Sequence, residues 1–145
     1  MSDAWAIVLI DDEEDIREVM SLALADAGYE VRTAADGEAG IRLCLEAPPQ
    51  IVVTDIRMPG MNGLQVLERV KHQFPDTEVI VATAFGEMEL AIRALQLDAS
   101  DFIAKPIGSD NLFLALHRAR ERYTSRRRLK DYTLLLEREK AETSQ

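Results

Sequence analysis

Four short apolar runs and one mixed strand pattern, each followed by a stretch of helical periodicity, constrain this chain more than any other feature. Residues 6–10 read AIVLI, 30–34 EVRTA, 51–54 IVVT, 78–83 EVIVAT and 102–104 FIA. Helical patterns follow at 14–27, 38–46, 64–73, 88–96 and from Leu112 onward. In the first, Ile16, Met20, Ala23, Leu24 and Ala27 recur on one face, and Gly28 supplies a C-cap. Pro48-Pro49 stops the second, and Ala91, Ala94 and Leu95 are expected to face inward on the fourth. Strands that are apolar along their whole length belong to a parallel sheet covered on both faces. Right-handed crossovers then give an α/β, doubly wound five-stranded sheet. Ligands of such sheets sit beyond the carboxyl ends of the strands, so chemistry is sought there.

The polar residues at those ends form a selective set. The first strand runs into Asp11-Asp12, the third into Asp55, the fourth into Thr83 and the fifth into Lys105-Pro106. Three clustered carboxylates repel one another, which favours a proton or a cation among them. Oxygen ligands without thiol or imidazole suit a hard ion, Mg²⁺ first. A hydroxyl and an ammonium beside them suit phosphoryl oxygens. The residues therefore point to a Mg²⁺ site handling a phosphoryl group, with Asp55 as candidate nucleophile. Each residue also has a plain structural use. The acids of 11–15 can cap a helix, Asp55 can form a turn, Thr83 is an ordinary strand residue and Lys105 an ordinary surface lysine. It is the joint pattern that carries the argument.

The segments VLIDDEED, VVTDIRMPGMNG, VATA and DFIAKP resemble the receiver domain of two-component response regulators, over about residues 5–120. The resemblance implies a flavodoxin-like strand order, 2-1-3-4-5. It implies Asp55 as acceptor of a phosphoryl group from a sensor histidine kinase or a histidine phosphotransfer protein. It implies Mg²⁺ held by Asp12 directly, by Asp11 mainly through water, by Asp55, and by the backbone carbonyl of Arg57. Thr83 matches the hydroxyl that senses the phosphoryl group, Lys105 the cation beside it and Phe102 the aromatic switch position. A cis bond before Pro106 is common in the family. The implied output is a remodelled face of helix four, strand five and helix five, in a switch rather than a turnover enzyme.

Charge divides the 145 residues. Up to residue 116 there are 8 Lys+Arg against 21 Asp+Glu; from 117 there are 9 against 5, within a net −9. An acidic body disfavours nucleic acid. The basic tail sets the expected boundary, a receiver over 1–120 and a helical linker or signalling helix over 121–145. Its helical pattern has no Pro or Gly, and if helical from 110 to 143 it is about 50 Å long. Leu129, Tyr132 and Leu136 form a short seam, so a homodimer is expected, with a linker leading toward an output domain. Arg126-Arg127-Arg128 reads as a solvated helix face rather than a nucleic-acid contact. The single Cys44 excludes an internal disulfide and reads as a buried small apolar residue. His72 and His117 read as surface residues, with no histidine-phosphotransfer motif. No apolar run approaches the roughly 20 residues of a membrane helix, and no basic n-region precedes one, so a cytoplasmic protein is expected.

Two rival readings stand beside the switch. A Mg²⁺-dependent phosphatase with an aspartyl nucleophile usually carries a second acid two residues on, where this chain has Arg57. An interaction module that is never phosphorylated has no need of the complete acid set. The lifetime of a phosphoryl group on Asp55 is expected to depend on Arg57 and Phe85. Arg57 either pairs with the phosphoryl group or turns to solvent. Phe85 either screens the group or serves as a partner contact.

Overall fold

The computed structural model describes residues 4–143. Its elements are β1 (Ala6–Ile10), α1 (Glu14–Asp26), β2 (Glu30–Ala34), α2 (Gly37–Glu46), β3 (Ile51–Asp55), α3 (Gly63–Gln73), β4 (Glu78–Thr83), α4 (Met88–Gln96), β5 (Asp101–Ala104) and α5 (Ser109–Thr143). All strands pair in parallel, in the order β2-β1-β3-β4-β5, as the resemblance implied. β1, at which the strand order reverses, lies against both β2 and β3.

Alternation along each strand splits the core into two layers. Val8, Ile10, Val52, Val79 and Val81 pack under α2, α3 and α4 against Ile41, Leu67, Val70 and Ala94. Ile7, Leu9, Val53, Ile80 and Ile103 pack under α1 and α5 against Met20, Leu24, Leu112 and Leu116. Cys44 is fully buried in the first layer, and burial pushes its thiol up to about 11, so it stays protonated. Helix ends follow local chemistry. Asp36 accepts from the Ala39 N–H at 2.8 Å, and Asn62 with Gln65 forms a reciprocal capping box at 2.9 Å each way. Gly28 takes φ +98° after α1, the left-handed turn its place demanded.

Two expectations need correction. Leu95 is exposed rather than inward, because α4 buries a narrow stripe, Ala91 and Ala94, and turns Ile92 and Leu95 outward. The basic residues of α5 are not merely a solvated face. Arg122 and Arg126 approach the fully buried Glu78 at 3.4 Å each, and Arg127 and Lys130 pair with Asp76 at 3.3 Å. Arg126 also donates to the Pro75 carbonyl. On the neighbouring flank Tyr123 meets Trp5 edge-to-face at 5.2 Å, and the Arg120 guanidinium lies over Trp5 at 5.0 Å. α5 thus stays attached to the sheet layer as far as Lys130. Beyond it Tyr132, Leu134, Leu135 and Leu136 are exposed. Among the described residues no helix is long and apolar enough to cross a membrane.

Candidate functional site

The site forms where β1, β3, β4 and β5 end together. Asp55 closes β3 in register with Ala82, and Thr83 in turn lies opposite Ala104, so Lys105 follows directly beside them. The Lys105 N–H donates to the Thr83 carbonyl at 2.7 Å, fixing the base of its side chain. At the end of β1 the Asp11 N–H donates to the Ala34 carbonyl at 3.2 Å. The Asp11 carboxylate accepts from the Glu13 N–H at 2.9 Å, a local turn just before α1, and no side chain caps that helix, so the acids at 11–15 do not serve as its N-cap. The Lys105–Pro106 bond is cis.

These placements bring one carboxylate oxygen each of Asp11, Asp12 and Asp55 within 4.8 Å of one another. Asp11 and Asp55 are 2 % and 7 % exposed, whereas Asp12 is exposed. The Lys105 ammonium lies 2.7 Å from Asp55 Oδ2 and 3.5 Å from Asp11 Oδ2. Burial pushes the Asp55 carboxyl above its ordinary value, with repulsion from Asp11 and Asp12 adding to it, despite the opposing Lys105. Burial works against the Lys105 charge too, but its hydrogen bond to Asp55 and the charges of Asp55, Asp11 and Glu13 outweigh it and hold the ammonium above its ordinary value. The mutual attraction therefore shows in Lys105, while in Asp55 desolvation prevails. A buried carboxylate with excess negative charge around one ammonium fits a small divalent cation bound from the exposed, Asp12 side.

Gly63 sets how closely α3 approaches this site. Its N–H donates to the Ile56 carbonyl at 2.8 Å, and a Cβ there would lie 2.2 Å from the Asp55 carbonyl oxygen. Only glycine allows that approach. Met58 is buried in the core and Met61 packs against it, as structural residues. Thr83 is buried, and Phe102 is half-buried against the α2–α4 layer. His72 is exposed, and His117 sits at the surface beside Glu121 at 3.0 Å.

Arg57 turns its side chain largely to solvent, one of the two courses expected of it, and there its guanidinium pairs with Glu87. Phe85 is fully exposed. It borders a groove of about 560 Å³ with Ile16, Val19, Lys105 and Ile107. Sequence reasoning missed Glu87, which is 9 % exposed and also accepts from the Ala84 N–H at 2.7 Å. An acid one residue before a helix gives no sign of such burial in the sequence alone.

Comparison with known proteins agrees with this architecture. The model of the response regulator receiver domain matches residues 7–117. The regulatory protein AtoC of Escherichia coli (strain K12) is 37% identical over 113 residues, which are 78% of this chain and 24% of AtoC. The C4-dicarboxylate transport transcriptional regulatory protein DctD of Rhizobium meliloti (strain 1021) is 38% identical over 122 residues, 84% of this chain and 26% of DctD. Crystalline NtrX from Brucella abortus in complex with ADP superimposes with a TM-score of 0.85 at 35% identity, covering 89% of this chain and 30% of that one. A response regulator receiver domain protein from Clostridium thermocellum gives 0.79 at 31% identity, covering 83% and 97%. The chain belongs to the response regulator receiver domain family, whose general property is a switch worked by aspartate phosphorylation. It spans about a quarter of the length of AtoC and DctD.

Proposed function

We propose that Asp55 is the phosphoacceptor of a cytoplasmic switch served by a sensor histidine kinase or a histidine phosphotransfer protein. The observation that carries this reading is the buried Asp55 carboxylate, held against Lys105 at 2.7 Å beside Asp11 and Asp12. An Asp55 oxygen attacks the phosphorus of a phosphohistidine. The new bond is O–P, the bond broken is P–N, and the imidazole leaves with a proton. Lys105 balances charge on the transferred oxygens and keeps Asp55 ionised for attack. Asp11, Asp12, Asp55 and the Arg57 carbonyl would hold Mg²⁺, which when bound offsets negative charge on the phosphoryl group. Once the group is in place, Lys105 and the Thr83 hydroxyl turn toward it. Thr83 gives up space that the half-buried Phe102 takes, and the surface of α4, β5 and α5 changes population between two states. The driving force is the phosphoryl group's differential interaction with those states.

The expected test is intact-protein mass spectrometry after treatment with Mg²⁺ and phosphoramidate. One phosphoryl group should be gained, and Asp55→Asn should prevent it. Equal labelling of that variant would overturn the assignment of Asp55. Turnover of a small phosphomonoester would instead favour the phosphatase rival.

The receiver passes its signal through the part of α5 beyond residue 120 toward an output domain, without direct nucleic-acid contact by this chain. Support comes from Ile92, Leu95 and Leu114, exposed on α4 and α5, and from the apolar residues beyond Lys130. We assign these surfaces to a homodimer. Light scattering should give a dimer mass that truncation after Arg120 reduces.

A further inference from the structure

We propose that Glu87 is the resting-state counter-anion of the switch: it holds the Arg57 guanidinium until the phosphoryl group on Asp55 takes that cation away. The inference deepens the phosphoacceptor reading and rests on it.

Register places the participants together. Asp55 and Ala82 are direct neighbours across β3 and β4, and the Ile56 N–H donates to the Ala82 carbonyl at 3.0 Å. Arg57 and Ala84 each stand two residues further along, at the same level of the site's rim. Glu87 joins the two loops. One carboxylate oxygen takes the Ala84 N–H at 2.7 Å and the other engages Arg57 Nε. Its backbone belongs to the start of α4, because the Leu90 and Ala91 N–H groups donate to the Glu87 carbonyl at 3.1 Å each. One residue thus links the peptide after Thr83, the residue two beyond Asp55, and the first turn of the helix whose face is to change.

Burial gives the pair its leverage. Arg57 is 74 % exposed along its side chain, so its guanidinium can swing at little cost, while Glu87 is 9 % exposed and cannot follow. A phosphoryl group offers Arg57 more charge than one carboxylate and suits its planar fork. When Arg57 changes partner, Glu87 keeps a neutral N–H but loses its counter-charge in a poorly solvated place. A carboxylate so placed is driven toward water. Glu87 can reach water only by releasing Ala84 and moving the first turn of α4. Arg57 and Glu87 are therefore positioning residues. They set how long the phosphoryl group persists and how strongly α4 responds.

The test is a double-mutant cycle on the full chain. Glu87→Gln keeps an oxygen for the Ala84 N–H and removes the charge. Arg57→Ala, at an exposed position, leaves folding intact. The chain is phosphorylated with phosphoramidate and Mg²⁺, the donor is removed, and decay is followed by intact-protein mass spectrometry. Glu87→Gln should lengthen the phosphoryl lifetime about fivefold, and Arg57→Ala should shorten it, on the scale of one partly solvated ion pair. In the Arg57→Ala background Glu87→Gln should change the lifetime less than about twofold, because the competitor then has nothing to compete for. An unchanged lifetime in Arg57→Ala overturns the inference, whether or not Glu87→Gln folds. So does a Glu87→Gln effect equally large without Arg57, which is what a purely structural role would give. The phosphoacceptor reading fails separately, by equal labelling of Asp55→Asn, since the cycle compares variants that all retain Asp55.

Discussion

Glu78 is the first residue of β4, fully buried, and it faces two arginines from α5. Ser100 donates to its Oε2 at 2.6 Å, whereas Oε1 has no hydrogen bond among the described residues and faces the Arg126 guanidinium at 3.4 Å. Glu78→Gln preserves shape and an acceptor for Ser100, so it isolates the charge. A fully buried pair that loses one partner costs about 3–5 kcal/mol. An exposed pair is worth about 0–1 kcal/mol. Here the carboxylate is buried while the Arg122 and Arg126 side chains are 36 % and 30 % exposed and can rehydrate, so the cost falls between those limits. We take about 2 kcal/mol, which for a chain of this size lowers Tm by about 8 °C. Far-UV circular dichroism on heating measures it. Hydrogen exchange should show the amides of residues 118–130 opening more often, because those turns lose their hold on the sheet. A Tm within about 2 °C of the parent, with unchanged exchange, would refute the reasoning that this carboxylate anchors α5.

Three further outcomes follow from the site and its surroundings. Mg²⁺ at ten times its Kd should stabilise the chain by about 1.4 kcal/mol, and Asp12→Ala should abolish most of the Tm rise; an undiminished response to Mg²⁺ contradicts Asp12 as ligand. Burial raises Asp76 and Asp98, but hydrogen bonds and charges from Lys130 and Arg127, and from Arg122, Lys71 and Arg126, outweigh it and leave both below their ordinary value of 3.8. Their folded forms bind protons more weakly than the unfolded chain. Their stabilisation is therefore complete above that value and lost as pH falls through the depressed ones, while raised Asp55 acts oppositely, its ionisation costing stability as pH climbs above 3.8. Urea midpoints at falling pH should drop less steeply in Asp76→Asn/Asp98→Asn than in the parent. Gly63→Ala drives a Cβ to 2.2 Å from the Asp55 carbonyl oxygen and 2.7 Å from Ile56 Cα, and backbone cannot yield as a side-chain tip can. A loss of about 1–3 kcal/mol in denaturant unfolding is expected, with slower phosphorylation of the displaced Asp55.

The sheet was legible in the sequence because β1, β3 and β4, buried almost along their whole length, leave apolar runs, whereas the partly exposed edge strand β2, EVRTA, reads only as a mixed pattern. The site was legible because its polar residues stand where those runs stop. Asp11, Asp12, Asp55, Thr83 and Lys105 needed no long-range information beyond the order of five strands. Glu78, Glu87 and Asp98 needed much more. Each is an acid at the edge of an element, where acids are ordinary, and its partner lies 44, 30 or 24 residues away. Asp98 is the sharpest case. It closes α4 at φ +76°, a conformation usually left to Gly, and its side chain pairs with Arg122 at 2.9 Å. The backbone preference favours glycine, and the ion pair requires a carboxylate; sequence rules describe only the first.

Leu95 shows the same limit for apolar residues. Periodicity identifies the face of α4 that carries Ala91 and Ala94, but not how wide a stripe the sheet can cover. The structure leaves Ile92 and Leu95 outside that stripe. Charge asymmetry, by contrast, carries more than a boundary between two segments. The excess of acids before residue 117 and of bases after it marks two segments by composition, yet it also makes them complementary. Arg122, Arg126, Arg127 and Lys130 meet Glu78, Asp98 and Asp76 at the amino-terminal end of the strands, opposite the end that carries Asp55. A basic run beside an acidic body is thus as well explained by attachment to that body as by an external polyanion. β4 carries Glu78 at one end and Thr83 at the other. The strand that reaches the acidic cluster at one end therefore also anchors α5 at the other.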